Sequence, residues 1–190
     1  MKRLFLILSI LALLLLTSCT ASGSNEKSSI DSEQQIIRPV QDVLFVTIRN
    51  SYSDIDNEYH SSASMIDIDG YYHPLPDDFS FTNTDWYQMV ITAKQIKPKN
   101  RVQESHLENM YKFINEFDAL NCTLITYDHI VWDYGTRELY ALYTANDGNI
   151  RYKLLCGYGE TTQCADNEAV RNFVNWMIDN KYFSTVGFKY

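Results

Sequence analysis

The chain has 190 residues, 45% hydrophobic and 14% aromatic, with 16 Lys and Arg against 24 Asp and Glu, a net charge of -8. That length suits one ordinary domain; the aromatic content excludes a disordered chain, and Gly 7 with Pro 4 excludes collagen-like or low-complexity character. The acidic balance argues against nucleic acid as the main partner, because phosphate backbones are bound by clustered Lys and Arg.

Met1-Lys2-Arg3 is a short positive segment, and Leu4 to Leu16 (LFLILSILALLLL) is an apolar run. The run matches a signal-peptide core and falls short of the roughly 20 residues that a membrane-spanning helix needs. It ends in Leu16-Thr17-Ser18-Cys19, which resembles the lipobox of bacterial lipoproteins. That resemblance implies cleavage before Cys19 and a diacylglycerol on its sulfur, with residues 1–18 as signal peptide. Two or three acyl chains on one Cys make a stable anchor where one is marginal. Loss of residues 1–18 removes Lys2 and Arg3 and no acid, taking the net charge from -8 to -10. Residues 19–40, rich in Ser, Gln and charge after the Cys, read as a flexible tether of roughly 25 Å root-mean-square reach. Residues 41–190 then form a single domain on the extracytoplasmic side of a membrane in a bacterial envelope.

Val43 to Arg49 is rich in β-branched and aromatic residues and predicts a first strand, followed by a polar loop over 51–62. Ala63 to Asp69 predicts a strand ending in the turn pair Asp69-Gly70, with Tyr71 to His73 as its return, stopped by Pro74 and Pro76. Asn83, Thr84 and Asp85 offer N-caps for a helix carrying Trp86, Met89, Val90, Ala93 and Ile96, which Pro98 ends. Leu107, Met110, Phe113, Ile114 and Phe117 mark a second amphipathic helix. Cys122 to Tyr134 reads as β-like, and Asn146-Asp147-Gly148-Asn149 joins strands over 138–145 and 150–156 as a hairpin. Asp166 and Asn167 start a last helix bearing Val170, Phe173, Val174, Met177 and Ile178, and 182–190 reads as a short terminal strand. Strands joined by tight turns and helices in blocks favour an α+β fold: an antiparallel sheet of about five strands packed against three helices.

Three cysteines remain beyond Cys19. Cys156 ends a strand and Cys164 precedes a helix cap, so a disulfide between them would close the loop GYGETTQ and join sheet to helix. Cys122 begins an apolar strand and reads as a buried thiol. Its nearest base, His129, lies seven positions on, roughly 23 Å away in an extended chain, which is too far for a dyad. Asp67 and Asp69 share one strand face, as paired carboxylates for glycoside hydrolysis would have to share a cleft, but a solvated strand edge before a turn is the stronger reading. Asp54, Asp56 and Glu58 alternate in a way that can converge on calcium, although the Gly and distal Glu of an EF-hand loop are missing. Tyr52, Tyr59, Tyr71, Tyr72, Tyr127, Tyr134 and Tyr158 fall in or beside loops and turns, where rings with a polar tip suit sugar or protein contacts. Tyr158, between two glycines, is the ring expected to be most displayed.

No cofactor motif, serine elbow or phosphate-cradling glycine loop is present in the sequence. The expectation is therefore a non-enzymatic binding or protein-interaction module, anchored to a membrane by lipid and facing an envelope protein or glycan. The alternatives are a hydrolase of peptidoglycan or glycan and a protein inhibitor of immunity type.

Overall fold

The computed structural model describes residues 38–53, 58–128, 135–159 and 161–183. They carry seven strands: β1 (Val43–Ser53), β2 (Glu58–Asp67), β3 (Tyr72–Leu75), β4 (Leu124–Asp128), β5 (Thr136–Thr144), β6 (Ile150–Tyr158) and β7 (Thr161–Ala165). The helices are α1 (Trp86–Ala93), α2 (Glu104–Phe117) and α3 (Glu168–Asp179), with a 3-10 turn over Asp118–Leu120. All seven strands form one antiparallel sheet in the order β3-β2-β1-β5-β6-β7-β4, so the fold is α+β. Residues 35–190 are one compact unit.

Alternation along the strands supplies two apolar faces, and each receives its own layer. Leu107, Met110, Ile114 and Phe117 of α2 and Val170, Val174 and Met177 of α3 pack on Phe45, Leu139, Ala141 and Leu155. Phe113 and Phe173 stack across this interface with ring centroids 3.7 Å apart. On the other face Val46, Met65, Leu75 and Leu142 are covered by Val90 and Ala93 of α1 and by Phe79 and Phe81 of the segment before it. No helix among the described residues is long and apolar enough to cross a membrane.

The turns follow their sequence chemistry. Gly70 and Gly148 sit at positive φ (80° and 79°) in the two hairpins expected from Asp69-Gly70 and Asp147-Gly148. Asn167 caps α3 by accepting from the backbone N–H of Ala169 and Val170 at 2.9 and 3.3 Å.

Several boundaries differ from expectation. The polar stretch 51–62, expected as a loop, is strand at both ends: β1 and β2 pair from Val43↔Asp67 through to Ser53↔Glu58. Ladder hydrogen bonds belong to the backbone, so serines extend a ribbon whose apolar half has already set the register. Pro74 lies within β3 instead of ending it, because β3 is an edge strand and needs no donor on its outer side. Helix α1 stops at Ala93, and Ile96 is exposed rather than part of the buried stripe.

The expected loop GYGETTQ is also mostly strand. β6 runs to Tyr158 and β7 starts at Thr161, placing Cys156 directly opposite Cys164. β7 is thus a strand the sequence did not announce, in a sheet of seven where about five were expected. The expected Cys156–Cys164 disulfide is not formed: Cys122, Cys156 and Cys164 are all buried thiols. Directly opposed residues on an antiparallel pair hold their Cβ atoms roughly 4.5–5.5 Å apart, wider than the roughly 3.8 Å of a disulfide. The signal peptide, Cys19 and the greater part of the tether lie outside the described residues, as do His129, Tyr134 and all but the first two residues of the expected terminal strand.

Candidate functional site

The ribbon β1–β2 is longer than the helical layer beside it. Eleven residues of β1 span about 36 Å, against about 21 Å for the fourteen of α2. Past Phe45, the sheet face that carries α2 and α3 therefore continues without cover from those helices, and among the described residues Arg49 and Ser62 on it are exposed. Its next positions are Thr47 and Arg49 on β1, opposite Ser64 and Ser62 on β2, and Arg137 on β5.

This bare stretch is the floor of a cleft of about 600 Å³. Tyr72 and Pro74 of β3 form one wall. Lys99, Asn100 and Arg101, from the connection between α1 and α2, form a second, and Lys181, Tyr182 and Phe183 after α3 form a third. Thr47 and Ser64 hydroxyls lie 2.7 Å apart across the floor. The Tyr72 and Tyr182 rings stack at 6.4 Å, and the Tyr182 hydroxyl lies 2.6 Å from Nδ1 of His106.

Five cations therefore converge on one cavity: Arg49, Lys99, Arg101, Arg137 and Lys181. No described Asp or Glu lines it, in a chain whose acids outnumber its bases 24 to 16. Arg101 is partly engaged, donating to Glu104 and to the Asp69 carbonyl at 3.0 Å each and lying over the Tyr71 ring. Arg49 and Arg137 face each other as direct cross-strand partners, an arrangement in which like charges repel. Burial first, and the neighbouring Arg49 charge second, hold the Arg137 pKa below the ordinary guanidinium value. A guanidinium nonetheless stays cationic throughout the physiological range.

Lys181 reaches the cleft through an unusual backbone. Helix α3 ends with Tyr182 N–H donating to Met177 O at 2.9 Å and Lys181 N–H to Ile178 O at 3.0 Å, the paired bonds of a Schellman motif. The residue after the cap must then be left-handed, a place usually taken by glycine, and Lys181 occupies it at φ 62°.

The residues singled out from sequence fall elsewhere. Tyr158, expected as a displayed ring, is buried, 6.1 Å from the Phe183 ring, because the tight β6–β7 hairpin turns it onto the helix-bearing face. Tyr71 and Tyr127 are exposed and Tyr72 is half-buried. Asp67 is buried rather than solvated: Oδ1 accepts from the backbone N–H of Asp69 and Tyr71 at 2.9 and 2.8 Å, and Oδ2 lies 3.0 Å from Nε2 of His73. It holds the turn 67–71, while Asp69 points away to an ion pair with Arg38 at 2.6 Å. The two carboxylates do not share a cleft.

Cys122 is buried in the core under α2. Asp54 and Asp56 lie outside the described residues, and of Glu58 only the backbone pairing with Ser53 is described. Among the described residues no group of three or more His, Cys, Asp or Glu could hold a metal ion. The cleft itself is not legible in sequence, since its cations are scattered from residue 49 to residue 181 with no run or spacing.

The chain matches no protein-family model, no curated protein and no solved structure.

Proposed function

We propose that this protein is a lipid-anchored lipoprotein of a bacterial envelope whose body is a non-enzymatic binding module, and that its ligand is anionic and glycan-like. The observation supporting this reading is the cleft: five cations and two tyrosine rings around about 600 Å³, with no described carboxylate among them. A volume of that size takes a small molecule or one or two sugar units. Cationic side chains attract acidic groups, and tyrosine rings offer a stacking wall to a sugar. The lipobox-like Leu16-Thr17-Ser18-Cys19 supports the anchor, which would hold the cleft close to envelope polymers.

Isothermal titration of the full chain in detergent against acidic and neutral glycan fragments tests the cleft. Acidic fragments bind, and binding weakens as salt rises. Equal binding of neutral fragments, or none of acidic ones, would refute the reading. For the anchor, mass spectrometry of the protein from a bacterial host shows an N-terminal, lipid-modified Cys19; an intact Ser18–Cys19 bond would exclude it.

A further inference from the structure

Resting on the anchor half of the reading above, we infer that the connection between α1 and α2 is a membrane-docking face, which lays the body against anionic headgroups of the bilayer that holds the anchor. Residues 94–101 read Lys-Gln-Ile-Lys-Pro-Lys-Asn-Arg: four of the chain's 16 basic residues in eight positions, with no acid among them. In a chain with 24 acids this is a local reversal of sign, and clustered cations beside a lipid surface attract anionic headgroups.

The segment is fixed in place. Tyr72 N–H donates to Asn100 O at 2.9 Å, Lys99 N–H donates to Tyr72 O at 3.0 Å, and the Ile96 carbonyl oxygen lies 2.9 Å from Nδ1 of His73. These bonds seat it along β3. Three cations around it are neutralised in ion pairs: Lys94 with Asp42 at 2.8 Å, Arg38 with Asp69 at 2.6 Å and Arg101 with Glu104 at 3.0 Å. Lys97 and Lys99 are exposed and form no ion pair among the described residues. Ile96 beside them is 48% exposed. An apolar side chain next to unpaired lysines suits an interface, where the chain enters the headgroup boundary and the ammonium groups stay at the surface.

The place where the body begins favours a bilayer over a protein as the partner. The pairs of Lys94 with Asp42 and of Arg38 with Asp69 bind the entry segment to this same region, and Val40 in that segment is 83% exposed. Only 18 residues, 20–37, separate Cys19 from Arg38, roughly 23 Å of root-mean-square reach. A body tethered that closely meets the surface at high effective concentration. Two lysines and one isoleucine then suffice, where a freely diffusing protein needs a larger patch.

The test uses the full chain from a bacterial host, reconstituted in phosphatidylcholine vesicles with or without phosphatidylglycerol. An environment-sensitive dye is placed on Gln95→Cys, exposed in the segment, or on Thr161→Cys, exposed on β7 and five strands from β3, about 24 Å along the sheet. Cys122, Cys156 and Cys164 are buried and do not compete for the label. On phosphatidylglycerol vesicles the dye at position 95 shifts to the blue and is quenched by spin-labelled lipid, while the dye at 161 keeps its emission in water. High salt abolishes both responses. The double variant Lys97→Glu with Lys99→Glu keeps its thermal midpoint and also loses both.

Failure of the protein to float with vesicles would overturn the anchor reading and this inference with it. Flotation with the same emission at 95 and 161 would leave the anchor standing and overturn the docking face. A response at 95 that survives high salt and charge reversal would overturn the assignment to anionic headgroups.

Discussion

His73 and Asp67 form a buried pair beneath the 67–71 turn: Nε2 lies 3.0 Å from Oδ2, and both side chains are 4% exposed. Nδ1 of the same ring lies 2.9 Å from the Ile96 carbonyl oxygen. A carbonyl only accepts, so Nδ1 carries a hydrogen, and the contact at Nε2 then needs one further proton shared between ring and carboxyl. The pair is neutral as a unit and ties β2, β3 and the end of the α1 segment together. His73→Ala leaves a buried carboxyl with two backbone donors and no side-chain partner. We expect a loss of about 3 kcal/mol in urea unfolding; a loss below about 1 kcal/mol would show that the turn is held by its backbone alone.

Gly135 and Gly148 share a positive φ (71° and 79°) but not their surroundings. A Cβ on Gly135 would stand 1.9 Å from the Asn50 carbonyl oxygen, whereas one on Gly148 would meet nothing within 4 Å. Gly148→Ala therefore costs only conformational strain, about 1 kcal/mol. Gly135→Ala must in addition push β1 from β5 at the end where Arg49 meets Arg137, and is expected to cost more than 2 kcal/mol. Equal midpoints for the two variants would contradict the close approach.

Lys181→Gly is expected to raise stability by about 1 kcal/mol, since it removes a side chain from a left-handed position without disturbing the α3 cap. A fall in thermal midpoint would mean that the lysine stem packs productively against the cleft wall.

Acid and alkali should destabilise through different groups. Hydrogen bonds from Thr123, first its hydroxyl and then its backbone, lower the Asp166 pKa below the usual 3.8. Its contribution is present above about pH 4 and disappears as pH falls through the lowered value. At the other end, burial is the first cause raising the pKa values of Tyr72 and Tyr140 above 10, with Tyr182 and Glu138 adding to each in turn. A raised value means that folding favours the neutral phenol, so stability is complete below about pH 10 and lost as pH climbs beyond it. Absorbance titration of the tyrosines should show a late fraction that ionises together with unfolding. If all 14 ionise near pH 10 with the fold intact, that burial is disproved.

The three thiols make a separate check. Cys122, Cys156 and Cys164 are 3%, 0% and 2% exposed, so an alkylating reagent should label none of them in the native protein and all three in denaturant. Rapid native labelling of Cys156 would show that the β6–β7 hairpin opens.

The sequence exposed those parts of this fold that depend on neighbours in the chain. The stripes of α2 and α3, the Asn167 cap and the glycine turns each follow from residues within a few positions of one another. What depended on distant partners was hidden. Ser61 and Ser62 read as loop because nothing local announces that the apolar half of the ribbon will carry them into register. Asp67 looked solvated because His73 has to fold back over a turn to reach it. The cleft cations come from β1, β5 and two connections, and only the sheet order makes them neighbours.

That order places β4 in an odd position. It precedes β5 in the chain yet lies at the far edge, bonded only to β7, with Thr123 clamped to Asp166 by its backbone N–H at 2.7 Å and its hydroxyl at 2.6 Å. It has no template until β5, β6 and β7 have been made and have folded against one another. During synthesis β4 is made before its partner β7 and must wait for it beside an incomplete sheet. A five-residue edge strand paired on one side only is the place where backbone amides should exchange with solvent earlier than in the strands inside the sheet.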